Sequence, residues 1–389
     1  MGSFSYLTVA DYPIFDAKNE YIHELVNLLF QPDDYLEETR PLSVKNRLYW
    51  GDAYTKQGNF IFKGFRQSVR VCKQRLEIYG YSLKFARADF KTAKKAADIE
   101  YHYDFPLAKI SFKTFMEEVN YILTNKVKNY EGHRYNLREG LITDDLYFFG
   151  QSIAANLYSI LSLLNDFDIV EYDLSDIIDG GYIDNNVKDQ ISFEKIIILT
   201  EGKTDVEFIC SSIKSLYPHL LPYYHFINFD DYKVESNASA LVKLVISFAA
   251  ANIKHPIIVL FDNDTTGIME MNTLLSKKLP QNIKVLKLPD IKLAMKYPTI
   301  GPTGLKKMNV NGLACGIEMY LGEDILKFSK EFAPIQWKGY NEKENKYQGE
   351  IANKGLIQTK FREKLKLNCL TRNPEMELLL SVIFNAFKM

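Results

Sequence analysis

Lys195-Ile-Ile-Ile-Leu-Thr-Glu201-Gly202-Lys203-Thr204-Asp205 and His255-Pro-Ile-Ile-Val-Leu-Phe-Asp262-Asn263-Asp264-Thr265-Thr266-Gly267 are two short apolar runs, each closing in acids. Ile196–Leu199 and Ile257–Phe261 are apolar on both pleat faces, which suits strands covered on each side in a parallel sheet. Such sheets gather their ligands at the carboxyl ends of the strands. Carboxylates collected there with little basic compensation repel one another unless a hard cation sits among them.

The surrounding pattern supports that placement. Runs at 195–200, 223–229, 256–261 and 283–288 read as strands, and 205–216, 239–252 and 268–278 as the helices between them. Regular alternation of this kind predicts a doubly wound α/β domain over 190–330. Before it, 1–185 reads as a mainly helical domain with a small β element: Ser3–Val9 alternates and meets a turn at Asp11-Tyr-Pro. Phe65, Val69, Cys72 and Leu76 then recur at helical spacing, as do Phe115, Val119 and Leu123, and Ile153, Leu157 and Leu161. An acidic stretch from Asp166 to Asp189, interrupted by Gly180-Gly181, places the boundary near 180–192. After it, 316–328 reads as a helix, 341–355 as a polar insertion, and 331–389 as a helical carboxyl-terminal extension.

Composition excludes several classes. Net charge is −1, so attraction to nucleic acid must come from local patches. Cys72, Cys210, Cys315 and Cys369 are widely spaced, with no C-x-x-C pair, which argues against a zinc site or disulfide frame. The amino terminus lacks the basic and apolar regions of a signal peptide, and no apolar run is of membrane-spanning length, so the expectation is a cytoplasmic chain with no membrane partner.

Glu201 ends one strand, and Asp262 and Asp264, two apart, share a side at the end of another, so all three can converge. Asp205 lies in the first turn of the following helix, where a carboxylate also suits the dipole. Carboxylates without His or Cys are the ligand set of Mg²⁺ or Mn²⁺. A pair of such ions about 4 Å apart is the usual device for phosphodiester displacement. The plainer reading of each acid is a helix cap, and of Gly267 a turn residue.

Glu201-Gly202-x-x-Asp205 followed by Asp262-x-Asp264-x-x-Gly267 resembles the Toprim fold of topoisomerases, primases and nucleases. The acid four residues after the glutamate is similar to the overcoming-lysogenization-defect (OLD) nuclease branch, and Cys315-Gly316-Ile317-Glu318-Met319-Tyr320-Leu321 resembles that branch's later acidic helix. Gly2-Ser3-Phe4-Ser5-Tyr6-Leu7-Thr8-Val9 resembles the amino end of the HEPN/Toprim-associated proteins of bacteria. The resemblance implies a metal-dependent nuclease in anti-phage defence. Glu201 would be a ligand and candidate general base, Asp262 and Asp264 ligands of a shared metal, and Asp205 and Glu318 ligands of a second. It also implies a lysine near the scissile phosphate, for which Lys360 is the candidate. The alternatives are a non-catalytic metal- or nucleotide-binding or protein-interaction module, and primase-like nucleotidyl transfer. Self-association and a partner defence protein stay open.

Gly202-Lys203-Thr204 is no P-loop, because the required glycine five residues earlier is Ile197. No His has an Arg four to six residues before it, so a HEPN ribonuclease signature is absent. Between 61 and 95, ten basic residues face only Glu77 and Asp89, and Arg66, Arg70 and Lys73 would share a helical face near Tyr79, Tyr81 and Phe85, a candidate surface for DNA or RNA. Lys287, Lys292, Lys296, Lys306 and Lys307 form a second basic region closer to the predicted strand ends.

Overall fold

A computed structural model describes residues 2–42, 58–100, 109–127, 134–144, 146–147, 151–227, 229–230, 233, 235–367, 369–370 and 372–388, with 96–100 described by backbone alone. His102 and His133 lie outside these residues. The chain forms two compact units, Met1–Phe193 with Phe387–Met389, and Glu194–Ala386.

The first unit contains more sheet than its helical periodicity suggests. Strands β1 (Phe4–Val9), β2 (Tyr12–Lys18), β3 (Tyr35–Pro41), β4 (Asn59–Ser68) and β5 (Ile169–Asp173) form one antiparallel sheet in the order β2-β1-β5-β4-β3. Helices α1 (His23–Leu29), α2 (Val69–Ile78), α3 (Leu83–Glu100), α4 (Phe112–Asn125), α5 (Leu137–Thr143), α6 (Ile153–Leu161) and the short α7 (Ser175–Asp179) accompany it. The spacing through Phe65 to Leu76 is that of a strand running into a helix: Phe65 is on β4, while Val69, Cys72 and Leu76 are on α2. Leu7, Phe65, Val170 and Tyr172 of the sheet meet Cys72, Leu76, Phe115, Val119 and Leu157 of the helices in one core.

Four residues of the basic run find acidic partners within this unit. Arg66 lies on β4, so it shares no helical face with Arg70 and Lys73. Lys63 pairs with Asp179 at 2.7 Å, Lys73 with Asp166 at 3.3 Å, and Arg66 with Glu171 at 3.7 Å. The acidic stretch read as a boundary thus supplies counter-ions for the basic one. Arg75 is only 1% exposed and donates to Asp34 and to the Leu29 carbonyl. Asp34 also accepts from Gln67 and from the Gln31 amide. Removing one partner of such a buried pair strands the other charge, so Arg75→Leu is expected to cost this unit ~3–5 kcal/mol in chemical denaturation.

In the second unit, β6 (Ile196–Thr200), α8 (Lys203–Leu216), β7 (Tyr224–Phe226), α9 (Ala238–Ala250) and β8 (Ile257–Phe261) alternate as expected. The two-residue β9 (Asn263–Asp264), α10 (Thr265–Leu275) and β10 (Ile283–Lys287) follow. The parallel sheet has the order β10-β8-β6-β7. The chain leaves β6 for β7 on one side and β8 for β10 on the other, so the carboxyl ends of β6 and β8 flank the point where the winding reverses. Every residue of β8 is buried, in keeping with its unbroken apolar run.

Beyond it, two expectations are corrected. Gly316–Phe328 is not one helix: β11 (Tyr297–Gly301), β12 (Gly304–Met308) and β13 (Ala314–Cys315) lead to a 3₁₀ turn, Ile317–Tyr320, and a single turn of helix, α11 (Glu323–Leu326). Gly322, with φ of 103°, separates the turn from the helix. The extension is not all helical either. After the small pair β14 (Lys327–Phe328) and β15 (Glu331–Phe332), the polar insertion is a hairpin of β16 (Ile335–Asn341) and β17 (Lys346–Ile351). With β11 and β12 it makes a second sheet, ordered β12-β11-β16-β17, and α12 (Lys354–Lys366) and α13 (Pro374–Phe384) follow. Polar composition hid the hairpin because much of its surface is exposed.

Candidate functional site

Two backbone devices assemble the acids of the second unit. The parallel pairing of β6 with β8 sets Glu201 beside Asp262, and the Asp262 amide donates to Glu201 Oε1 at 2.8 Å. The antiparallel pairing of β13 with β9 then carries the Gly316–Glu318 segment over to the same place. A Cβ on Gly267 would stand 2.5 Å from the Asp262 carbonyl oxygen and 2.8 Å from Glu201 Oε1. One on Gly316 would lie 3.1 Å from Glu318 Oε2 and 3.5 Å from Asp262 Oδ2. The lack of a side chain at Gly267 is therefore what lets the loop close on the acids, beyond any turn requirement.

Most of the acids are held by local donors. Asp205 accepts from the Gly202 amide at 2.9 Å, and Asp264 caps α10 by accepting from the Gly267 amide at 2.7 Å. The second Asp264 oxygen accepts from Gln348 Nε2 of β17 at 2.7 Å. Glu318, 2% exposed, accepts from Gln358 Nε2 at 2.8 Å and pairs with Lys354 Nζ at 3.4 Å. Asp262 differs: among the described residues no hydrogen-bond donor reaches its carboxylate. The residue is half-buried.

Electrostatics tie the set together. Burial, then Asp205, Glu201, Asp264 and Glu318, push the Asp262 carboxyl well above the usual range. Burial, only partly offset by the Asp262 amide, raises Glu201 to about 7, with Asp264, Asp205 and Glu270 adding to it. Burial and Glu318 raise Asp205 to about 7. Against these acids stands Lys354, whose own pKa burial lowers but Glu318 and Asp262 raise to a net increase. Cys315 lies near Asp262, and burial lifts its thiol to about 12.

Glu201, Asp205, Asp262, Asp264 and Glu318 thus interact in one crevice, as hard-cation oxygen donors would. They do not form a finished cage: among the described residues no group of three or more His, Cys, Asp or Glu is arranged to hold a metal ion as it stands. Lys360 is not among them. Its ammonium donates to the carbonyls of Asp324 and Lys327, on the other side of α12 from Lys354 and Gln358. The sequence reading missed Lys354, Gln358 and Gln348. Lys354 and Gln358 are four apart and so share a helical face, a signal concealed because Lys354 was assigned to the polar insertion.

Residues 1–197 match the family model of the HEPN/Toprim N-terminal domain 1, which covers half of the chain. The protein belongs to this Toprim-associated family, and membership ties it to nucleic-acid-related function. No curated protein matches the chain, and no solved structure does. The match ends inside β6, so the acids lie beyond it. Among the described residues no helix is long and apolar enough to cross a membrane.

Raised carboxyl pKa values mean that the folded state holds protons which the unfolded chain has released. In chelator the protein should therefore lose stability as pH climbs from about 4 through about 7, with the penalty complete above the folded pKa values. Asp262→Asn removes one of these charges and is expected to raise Tm by about 2–4 °C at pH 8 for each kcal/mol relieved, with the gain vanishing below pH 4. Calorimetry of both proteins in EDTA across that range checks the sign.

Proposed function

We propose that the second unit is a Toprim-type domain of the OLD-like branch, and that it hydrolyses phosphodiester bonds of DNA or RNA with Mg²⁺ or Mn²⁺. One observation carries this reading: an Asp262 carboxylate that no described donor reaches, surrounded by four further acids where the sheet reverses its winding. The donor set fits a hard divalent cation, being all oxygen and in excess of Lys354. When bound, such an ion supplies charge neutralisation and an acidified water.

The chain's own residues set the geometry. Glu201, Asp262 and Asp264 would hold one ion and Asp205 and Glu318 a second, with Glu201 also the candidate base at neutral pH. Lys354, and not Lys360, is the cation that faces the acids. It orients Glu318 with Gln358, and it stands where a scissile phosphate would meet positive charge. Lys306 and Lys307 on the exposed β12 carry no ion pair among the described residues and would hold the strand's backbone. Lys287 is instead engaged by Asp290 and Asn263. A role in bacterial anti-phage defence fits a chain whose first unit belongs to a HEPN/Toprim family.

Incubation with plasmid, single-stranded DNA and tRNA, with and without Mn²⁺, tests the proposal. Wild type should yield metal-dependent product and Glu201→Gln none. Lys354→Met or Gln358→Leu, which remove supports of Glu318, should reduce cleavage about 10–100-fold, while Lys360→Met should leave the rate near wild type. Metal binding without product from any substrate would favour the non-catalytic module.

A further inference from the structure

A cavity of about 510 Å³ opens at the carboxyl end of β7, the same edge of the sheet from which Glu201 follows the parallel β6, and against the first turns of α8. Its volume falls within the roughly 300–1,000 Å³ of small-ligand sites. Val206, Phe226, Ile227 and Phe229 form apolar walls. Two ion pairs line the rest: Arg362 grips Glu207 through Nε and Nη2, both at 2.6 Å, and Lys203 reaches Asp230 at 3.4 Å. We propose that this cavity receives one nucleobase of the substrate strand, swung out of its stack, while the backbone continues past the acids.

Three features select that ligand. The charges lining the cavity cancel, so a phosphate would meet Glu207 and Asp230 as well as the two cations, and a bare anion gains little. A purely aliphatic group would leave the charged pairs without purpose and desolvate them. A planar heterocycle uses both sets, lying against the phenylalanine walls and offering donors and acceptors to the polar side chains at its edge. Placement supplies the third argument: Lys203 is two residues beyond Glu201, and Val206 is next to Asp205 on the same turn of helix. A base in a duplex cannot enter such a cavity without leaving its partner. The substrate class is therefore single-stranded or locally unpaired nucleic acid. This rests on the hydrolysis proposed above only in calling the bound strand a substrate.

Binding is tested apart from cleavage by titrating the full chain in EDTA with a short oligonucleotide carrying 2-aminopurine. Stacking on the phenylalanines should quench its fluorescence, and annealing the complement should weaken binding. Val206→Trp, which fills the cavity, and Phe226→Ala, which removes a wall, should each weaken single-strand binding about tenfold, with Tm confirming that each variant folds. Absence of quenching with wild type, or equal affinity for the duplex, overturns the proposal whether or not the variants fold. Folded variants that bind like wild type overturn it too. Adenosine monophosphate binding as tightly as the strand would assign the cavity to free nucleotide and likewise overturn it. Strand binding with no cleavage under Mn²⁺ would instead sink the hydrolysis reading and leave this one standing.

Discussion

Like charges forced together at the ends of β6 and β8 are the constraint on which the second unit turns. Ordinary packing offers no reason for the acids Glu201, Asp205 and Asp262 to share one crevice, since burial alone raises each carboxyl and the neighbours raise it further. The fold tolerates the cost by giving most of the acids a donor. The amides of Asp262, Gly202 and Gly267 and the side chains of Gln348, Gln358 and Lys354 each take one, and among the described residues the Asp262 carboxylate alone is left over. A structure that stores repulsion at its topological switch point is poised for whatever neutralises it.

How much of this was legible in the sequence follows from the range of each signal. The β6–α8 and β8–α10 units were readable because apolar strands and acid-bearing turns are local patterns, and their parallel pairing follows from the alternation around them. Glu318 was reached through a resemblance; the bridge between β9 and β13 that delivers it is two residues long and leaves no periodicity to detect. Lys354 was missed for a related reason. The polar insertion is read as reaching 355, so the first turn of α12 is hidden, and which of its faces meets the acids depends on how α12 sits against the 3₁₀ turn, a long-range fact. Lys360, six residues on, points to the carbonyls of Asp324 and Lys327 instead.

The first unit shows the same limit in its charges. Counting basic residues over 61–95 suggests a surface for nucleic acid, but a count ignores the acids that the fold brings across from 166–179. β5 is the means: its central position between β1 and β4 carries Glu171 to Arg66, and the segments flanking it bring Asp166 to Lys73 and Asp179 to Lys63. A run that is strongly positive in sequence is thus partly offset in space, at Lys63, Arg66, Lys73 and Arg75. The free lysines of β12 have no such counterweight among the described residues.

The donors that finish the crevice arrive late. Glu201 and Asp262 emerge from the ribosome well before β17 and α12 supply Gln348, Lys354 and Gln358. During synthesis the nascent chain therefore carries the acids without the groups that orient Asp264 and Glu318, and their repulsion goes without those partners until residue 358 has been released. The crevice is thus among the last parts of its own unit to be closed, because its supports come from the final quarter of residues 194–386.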